Sequence, residues 1–252
     1  MATMITEYHR PTSLQDALIL LSRKDHITVP LGGGTLLSRF TSAPVEVVDL
    51  QLLHLNQIGK RGELLSFGAT ATLQALMDSS QTPAFLKESL LLEGTYNLRQ
   101  IATVGGTLIT AGGDSLFTAL ILACNAEIQW EPGSREVLFE KWLSEPKFEK
   151  HDKILVEIHF LSDSIVSFEI VSKTPRSKPE IFVAKAGQGT KVRYVLGGRC
   201  KLLHVFDGTI RGDSQKLGKF INNAYGDFLQ PKATQPYFES TVTTLLKRLD
   251  VK

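Results

Sequence analysis

Cysteine is scarce in this 252-residue chain: there are two, Cys124 and Cys200, far apart in sequence. No Cys-x-x-Cys pair exists, so the chain has no thiolate set of its own for an iron–sulfur cluster or a zinc site. Cys124 lies in an apolar run, which predicts a buried, inert thiol. The six histidines are scattered without metal-ligand spacing, and no metal site is expected from them. Charge of one sign is missing too. Against 28 Lys and Arg stand 26 Asp and Glu, a net charge of +2, which points to neither a broad nucleic-acid surface nor a polybasic membrane patch. The longest apolar stretch, around Leu116 to Cys124, is far shorter than the ~20 residues that span a bilayer. The segment Met1–Tyr8 has no basic n-region and no apolar h-region after it. Together these absences lead us to expect a protein of the cytoplasm, with no nucleic-acid or membrane partner.

What is present is an ordinary globular composition, 42% apolar and 21% charged. Its length suits one large domain or two modest ones. The informative feature is a pair of small-residue segments. Gly32-Gly33-Gly34-Thr35 comes first, and Thr103-Val104-Gly105-Gly106-Thr107 follows about seventy residues later. Glycine removes the Cβ that would keep a ligand from the backbone. Successive N–H groups in such a loop form a nest for an anion, typically a phosphate. One loop serves one phosphate; two would clamp a pyrophosphate. The first segment alone also fits a plain tight turn. It is not the Gly-x-Gly-x-x-Gly fingerprint, because Leu36 and Leu37 occupy later positions, and no Gly-Lys-Ser/Thr follows as in a P-loop.

Ser13 reads as a helix N-cap with Asp16 three residues on, followed by Leu14, Ala17, Leu18 and Leu21 at helical spacing. Strands are expected at Ile27–Leu31, Val45–Leu50, Leu64–Phe67, Ala126–Trp130, Ile154–Phe160, Ile165–Val171, Ile181–Ala186 and Val192–Gly197. Gly187–Thr190 reads as the turn between the last two. Helices are expected at Thr72–Met77, Pro83–Glu93, about Asp114 to Ala123, Leu217–Phe228 and Phe238–Leu249. Ile154, Val156, Ile158 and Phe160 form one face of their strand. Strands interleaved with clustered helices predict an α+β fold. A charged stretch at Lys147–Lys153 marks a candidate boundary.

The order Asn97, Arg99, Thr103-Val104-Gly105-Gly106, with Gly32–Thr35 upstream and Phe85–Ser89 between, resembles the FAD-binding medium subunits of the molybdenum hydroxylases. Xanthine dehydrogenase, carbon monoxide dehydrogenase and aldehyde oxidoreductase carry such subunits or domains. Their run reads Asn-x-Arg-x-x-Ala-Thr-(Ile/Val)-Gly-Gly-Asn-(Leu/Ile), and the likeness extends over roughly residues 5 to 200. It implies a two-subdomain FAD-binding domain at 1–160, with parts at about 1–55 and 56–160, and a shortened α+β domain at 161–252.

It also implies a set of cofactor contacts. Gly33, Gly34 and Thr35 would sit on the FAD pyrophosphate, with Gly32 serving the turn and Leu31 and Leu36 flanking it. Thr103, Gly105 and Gly106 would cradle the other side of the diphosphate and the ribityl chain. Thr107 takes the place of the usual Asn, and Thr110 matches a position near the flavin. Asp114 matches a family carboxylate only if two residues are deleted before Ala111; it is either a ligand to cofactor hydroxyls or a plain N-cap. Lys173, Arg176 and Glu180 match a Lys-x-x-Arg-x-x-x-Asp pattern beside the flavin, or form a solvated loop. The segment Ala111-Gly112-Gly113-Asp114 departs from the family's Ala-Ser-Pro-x-x-Asp. Tyr237 and Phe238 stand where a Tyr-Arg pair is usual and read as packing residues.

The function implied is an FAD-dependent electron-transfer subunit of a hetero-oligomeric oxidoreductase. It would take electrons from an iron–sulfur small subunit, beside a molybdopterin large subunit, and pass them to NAD or another acceptor. No catalytic residue is assigned. The alternatives are a flavin-free scaffold or assembly protein of the same fold and a free-standing FAD-dependent oxidoreductase.

Overall fold

The computed structural model describes residues 4–35, 44–144, 152–162, 165–188, 191–210, 212, 214–229 and 233–251. The chain divides into two units. Met1–Gln81, Tyr96–Thr110 and Ala126–Phe160 make up the first; Thr82–Thr95, Ala111–Asn125 and Leu161–Lys252 make up the second. Three sheets with helices set against them give the α+β class that the sequence predicts. Elements are numbered in chain order.

In the first unit, β1 (Ile5–His9), β2 (Thr28–Leu31) and β3 (Val45–Asp49) form a parallel sheet of order β1-β3-β2. Parallel strands need a crossover, and α1 (Leu14–Leu21) lies in the one from β1 to β2, which flank β3. Its N-cap is Ser13, whose Oγ accepts the Asp16 N–H at 3.1 Å. Ala17 and Leu21 then fall on one face and pack with Val48, Leu50 and Ile154. Being central, β3 is buried at all five positions, and two of these are the carboxylates Glu46 and Asp49.

The larger sheet of this unit has the order β4-β5-β8-β6-β7. Its strands are β4 (Ile58–Arg61), β5 (Leu64–Gly68), β6 (Glu127–Glu131), β7 (Arg135–Leu138) and β8 (Ile154–Leu161). The alternation expected along β8 holds for Ile154, Ile158 and Phe160. Leu155 is buried as well and Val156 only half so. The cause is a register shift against β6 between Gln129 and Trp130, which breaks the period of two at that point. Phe67 and Phe160 meet edge to face at 5.8 Å. Trp130 stacks on Trp142 of α7 (Phe139–Ser144) at 5.2 Å.

Three short helices complete the unit: α2 (Leu73–Asp78), α4 (Tyr96–Ile101) and α5 (Val104–Thr110). The last two correct the sequence reading, which took the second glycine segment for a loop. Gly105 and Gly106 lie in the first turn of α5. Six- and seven-residue helices are too short to show a period, and a glycine pair weighs against helix. Pairing with another segment holds this one in place: Thr72 and Thr103 form an isolated antiparallel bridge. Leu73 N–H reaches Ala102 O, and Val104 N–H reaches Ala71 O, both at 2.9 Å.

The second unit is built on an antiparallel sheet of order β12-β11-β10-β9. Its strands are β9 (Val166–Val171), β10 (Ile181–Gln188), β11 (Lys191–Gly198) and β12 (His204–Asp207). Ile181, Val183, Val192, Tyr194 and Leu196 face α8 (Ser214–Gly226) and α9 (Gln235–Val251), which contribute Phe220, Ile221, Phe238, Val242 and Leu246. By the two-residue period, Phe182, Ala184 and Val195 point the other way, where α6 (Leu116–Ala123) packs on β10 and β11. Each of the eight residues of α6 is buried, and α3 (Ala84–Glu93) lies against it. Phe238 is fully buried, whereas Tyr237 is exposed and does not pack as expected. Residues 145–151, most of the expected boundary stretch, lie outside the described residues.

Candidate functional site

In an open parallel sheet, ligands bind beyond the carboxyl ends of the strands, where loops diverge. The first unit has a cleft of about 350 Å³ at such a place. Gly33, just past β2, and Gln51, just past β3, line it with Asn56, Thr70, Thr72, Gln100, Ile101 and Thr103. The lining is uncharged, so an anion bound there would meet backbone amides and side-chain amides and hydroxyls. Asp49 organises the β3 end. Its Oδ1 accepts the Gln51 N–H at 2.9 Å, and its Oδ2 accepts the Tyr8 hydroxyl, a bond that raises the phenol's pKa. Arg10 Nε lies 3.3 Å from the same Oδ2.

The two glycine segments meet here. A Cβ on Gly33 would lie 1.7 Å from the Ile101 carbonyl oxygen, and one on Gly32 would lie 2.7 Å from Thr103 Oγ1. Gly34 adopts φ +68°, which only glycine takes without cost. The first segment therefore needs its glycines for close approach and for a left-handed turn. Among the described residues, no hydrogen bond within the protein takes the N–H groups of Gly33, Gly34 or Thr35.

The second segment differs. Val104 N–H is bonded to Ala71 O, Gly105 N–H to Ala69 O at 2.8 Å, and Thr107 N–H to Thr103 O at 2.9 Å. Gly106 N–H is bonded to Thr103 Oγ1 at 3.2 Å. These amides are spent inside the protein. At Gly105 a Cβ would lie 3.0 Å from both Ala69 Cβ and Ala69 O, a tight contact that Ala69 would have to relieve by a few tenths of an ångström. The Thr110 hydroxyl donates to Gly106 O at 2.7 Å, back along its own helix. Of the second segment, Thr103 lines the cleft. Arg99, from the same motif, is buried and donates from Nε to Gln74 Oε1 at 3.0 Å, pinning α4 to α2.

The structure thus brings Gly32, Gly33 and Thr103 together, with Leu31 and Gly34 beside them. Thr35 follows in the same turn, and Leu36 lies outside the described residues. Sequence reasoning missed Gln51, Asn56, Thr70, Thr72, Gln100 and Ile101. The one available signal was position: Gln51 and Asn56 follow a predicted strand end, Thr70 lies between a predicted strand and helix, and Thr72 opens that helix.

Asp114 and Lys173 belong to the second unit. Asp114 Oδ2 pairs with Lys178 Nζ at 2.8 Å. It is not the N-cap of α6; Ser115 is, its Oγ accepting the Thr118 N–H at 3.1 Å. Lys173 is exposed, and its Nζ lies 3.5 Å from Glu180 Oε1. Glu180 also meets Arg199 at 3.3 Å. Of the unusual Gly112-Gly113 pair, Gly113 has a packing cause. A Cβ on Gly113 would lie 2.4 Å from Cys200 O and 2.6 Å from Leu202 O. Below it, Glu93 accepts the Ser115 hydroxyl and the Phe117 N–H, both at 2.9 Å. Burial pushes the Glu93 carboxyl above the usual carboxylate range, against the pull of Lys178.

Residues 3–160 match the sequence profile of the FAD binding domain in molybdopterin dehydrogenase. The chain is 30% identical over 161 residues to the uncharacterized protein YgfM of Escherichia coli (strain K12); the match takes in 62% of this chain and spans 59% of that relative's length. It is 32% identical over 116 residues to the carbon monoxide dehydrogenase medium chain of Afipia carboxidovorans, 43% of this chain and 40% of that one. Among solved structures, it superposes on a chain of quinoline 2-oxidoreductase from Pseudomonas putida 86 with a TM-score of 0.77 at 17% identity, covering 100% and 97% of the two chains. A chain of the Cu,Mo-CO dehydrogenase gives a TM-score of 0.76 at 20% identity, covering 98% and 97%.

Proposed function

The chain belongs to the family of FAD-binding domains of molybdopterin dehydrogenases, and from that premise we propose that it holds FAD as the electron-transfer subunit of a multi-subunit oxidoreductase. The observation that supports this best is the cleft where Gly33 lies against the α4–α5 junction, beside the N–H groups of Gly33, Gly34 and Thr35. Those amides and the Thr35 hydroxyl hold the diphosphate. Thr103 closes the other side, and Gly105 and Gly106 act by close packing. Gln51, Asn56, Thr70 and Thr72 offer amides and hydroxyls to the hydroxyl-rich parts of the cofactor. Asp49 keeps the Gln51 turn in place. Leu31, Leu36, Thr107 and Thr110 complete the proposed cofactor set. When bound, FAD supplies the redox chemistry, accepting electrons from one partner and giving them to another.

The partners in this reading are an iron–sulfur small subunit and a molybdopterin large subunit, with NAD or another small molecule as acceptor. The domain limits of 1–160 and 161–252 and a place in the cytoplasm belong to the same proposal. Among the described residues no helix is long and apolar enough to cross a membrane. One observation favours a second reading, a flavin-free scaffold of this fold: the N–H groups of Val104 to Thr107 are already bonded within the protein. An absorbance spectrum of the purified protein and a titration with FAD separate the two. Flavin bands and saturable one-to-one binding support the electron-transfer subunit; no binding at high micromolar FAD supports the scaffold.

A further inference from the structure

Glu46 is an odd residue for its place. It sits in the central strand β3, its side chain is 4% exposed, and its cross-strand partner on β1 is another carboxylate, Glu7. Like charges directly opposite in a sheet repel. The groups around the pair show what offsets this. His9 Nε2 lies 3.2 Å from Glu46 Oε2 and 3.3 Å from Glu7 Oε2, midway between two carboxylates. One ring nitrogen carries at most one hydrogen and cannot direct it well at both. His26, before β2, places Nδ1 3.5 Å from Glu46 Oε1 while its Nε2 lies 3.3 Å from Asp25 Oδ2. A neutral imidazole has one N–H, so one of these nitrogens turns a lone pair towards a carboxylate. Arg23 Nη1 stands 3.7 Å from Glu46 Oε2 and offsets one of the three carboxylate charges.

A second observation comes from the other neighbour strand. Thr28 of β2 is the register partner of Glu46, so its side chain projects on the same face. It is 5% exposed, and its Oγ1 has no hydrogen-bond partner among the described residues. A buried hydroxyl left over beside a buried carboxylate points to a group that belongs between them.

We propose that Glu7, His9 and Glu46 form a zinc site in the first unit, with a metal-bound water in the fourth position facing the Thr28 hydroxyl. Zinc takes imidazole nitrogen and carboxylate oxygen in tetrahedral geometry at about 2.0–2.2 Å, which sets neighbouring ligand atoms roughly 3.3 Å apart. The separations of 3.2 and 3.3 Å around His9 Nε2 match that edge, and one ligand atom from each of Glu7, His9 and Glu46 lies within 4.8 Å of the others. His26 stands outside the ligand set: its Nδ1 is 3.5 Å from the other Glu46 oxygen, Oε1, and Asp25 lies at its Nε2, so it orients the Glu46 carboxylate as an outer partner. A divalent cation supplies the two positive charges that three carboxylates and one guanidinium leave wanting. Arg23 is the competing cation, and it has room to swing outward because its side chain is 41% exposed.

The test is a calorimetric titration of the whole protein with zinc chloride, repeated with cobalt(II), whose visible spectrum reports coordination. We expect one equivalent bound with micromolar or tighter affinity and an intense tetrahedral cobalt spectrum. His9→Ala and Glu7→Gln each weaken binding at least tenfold. His26→Ala weakens it by about tenfold, as an outer partner does, and Arg23→Ala tightens it. The Glu7 side chain is 59% exposed, so its variant folds even where others do not, and circular dichroism verifies this. Zinc binding that is absent, or unchanged in both His9→Ala and Glu7→Gln, overturns the proposal. Weakening in Arg23→Ala also overturns it, because an ion-pair network then holds the cluster together without metal. None of these readouts involves flavin, so they stand apart from the proposal about FAD.

Discussion

Gly33→Ala isolates the close approach on which the cleft depends. The new Cβ would stand 1.7 Å from the Ile101 carbonyl oxygen, 2.7 Å from its carbon and 3.2 Å from Ala102 Cα. All three are backbone atoms, so no side-chain rotation relieves the clash. Reaching the shortest separation that real Cβ atoms tolerate, 3.0 Å, requires roughly 1.3 Å of movement between the β2 turn and the α4–α5 junction. Overpacking of this kind costs about 1–3 kcal/mol, and a backbone-to-backbone clash belongs at the upper end. Gly218→Ala provides the control: it lies within α8 with nothing within 4 Å. It gains about 0.5–1 kcal/mol from helix propensity. Urea unfolding at constant m reads the stability change as a shift in midpoint. FAD titration, on protein still folded, reads the cleft, where we expect at least a tenfold loss. Gly33→Ala protein that unfolds and binds FAD like the parent would refute both the close approach and its role.

Glu93→Gln tests the buried carboxyl at the start of α6. Burial raises the folded pKa of Glu93 above its ordinary value of 4.5, so the folded state holds its proton more tightly than the unfolded one. That stabilisation is full below pH 4.5 and is lost as pH rises through the folded value. Glutamine keeps an acceptor for Ser115 and Phe117 without the charge; it should match or exceed the parent's thermal midpoint at pH 8 and flatten its fall with pH. Arg99→Leu removes the bond to Gln74 and should cost about 1–3 kcal/mol in urea unfolding, through loss of the α4–α2 pin. Burial pushes the Cys124 and Cys200 thiols up to about 12, so a thiol reagent at pH 8 should label neither in the native protein and both in denaturant.

The sequence by itself determined the elements whose cause is local. Ser13 caps α1 because a hydroxyl there meets the Asp16 N–H, and the residues of α6 are apolar enough to predict burial before any partner is known. The α+β class and the FAD-domain family were legible for the same reason: caps, periods and the Gly32–Thr35 and Thr103–Gly106 motifs are written in consecutive residues. Where the period was short or interrupted, reading failed. Helices α4 and α5 were invisible, and the glycine pair read as a loop because propensity speaks against helix until Ala69 and Thr103 take its amides.

Tertiary structure decided the division of labour within the site. Among the described residues it left the N–H groups of Gly33, Gly34 and Thr35 without a hydrogen bond to the protein, and it spent those of Val104 to Thr107. It drew Gln51 and Asn56 from the β3–β4 connection and Thr70 and Thr72 from the β5–α2 connection to one cleft. Histidines that show no ligand spacing along the chain converge on Glu46 because the parallel strands β1 and β3 bring residues 7, 9 and 46 side by side and the turn before β2 adds His26. Such convergence depends on register between distant segments, and register is fixed by packing across the sheet, not by neighbours in sequence.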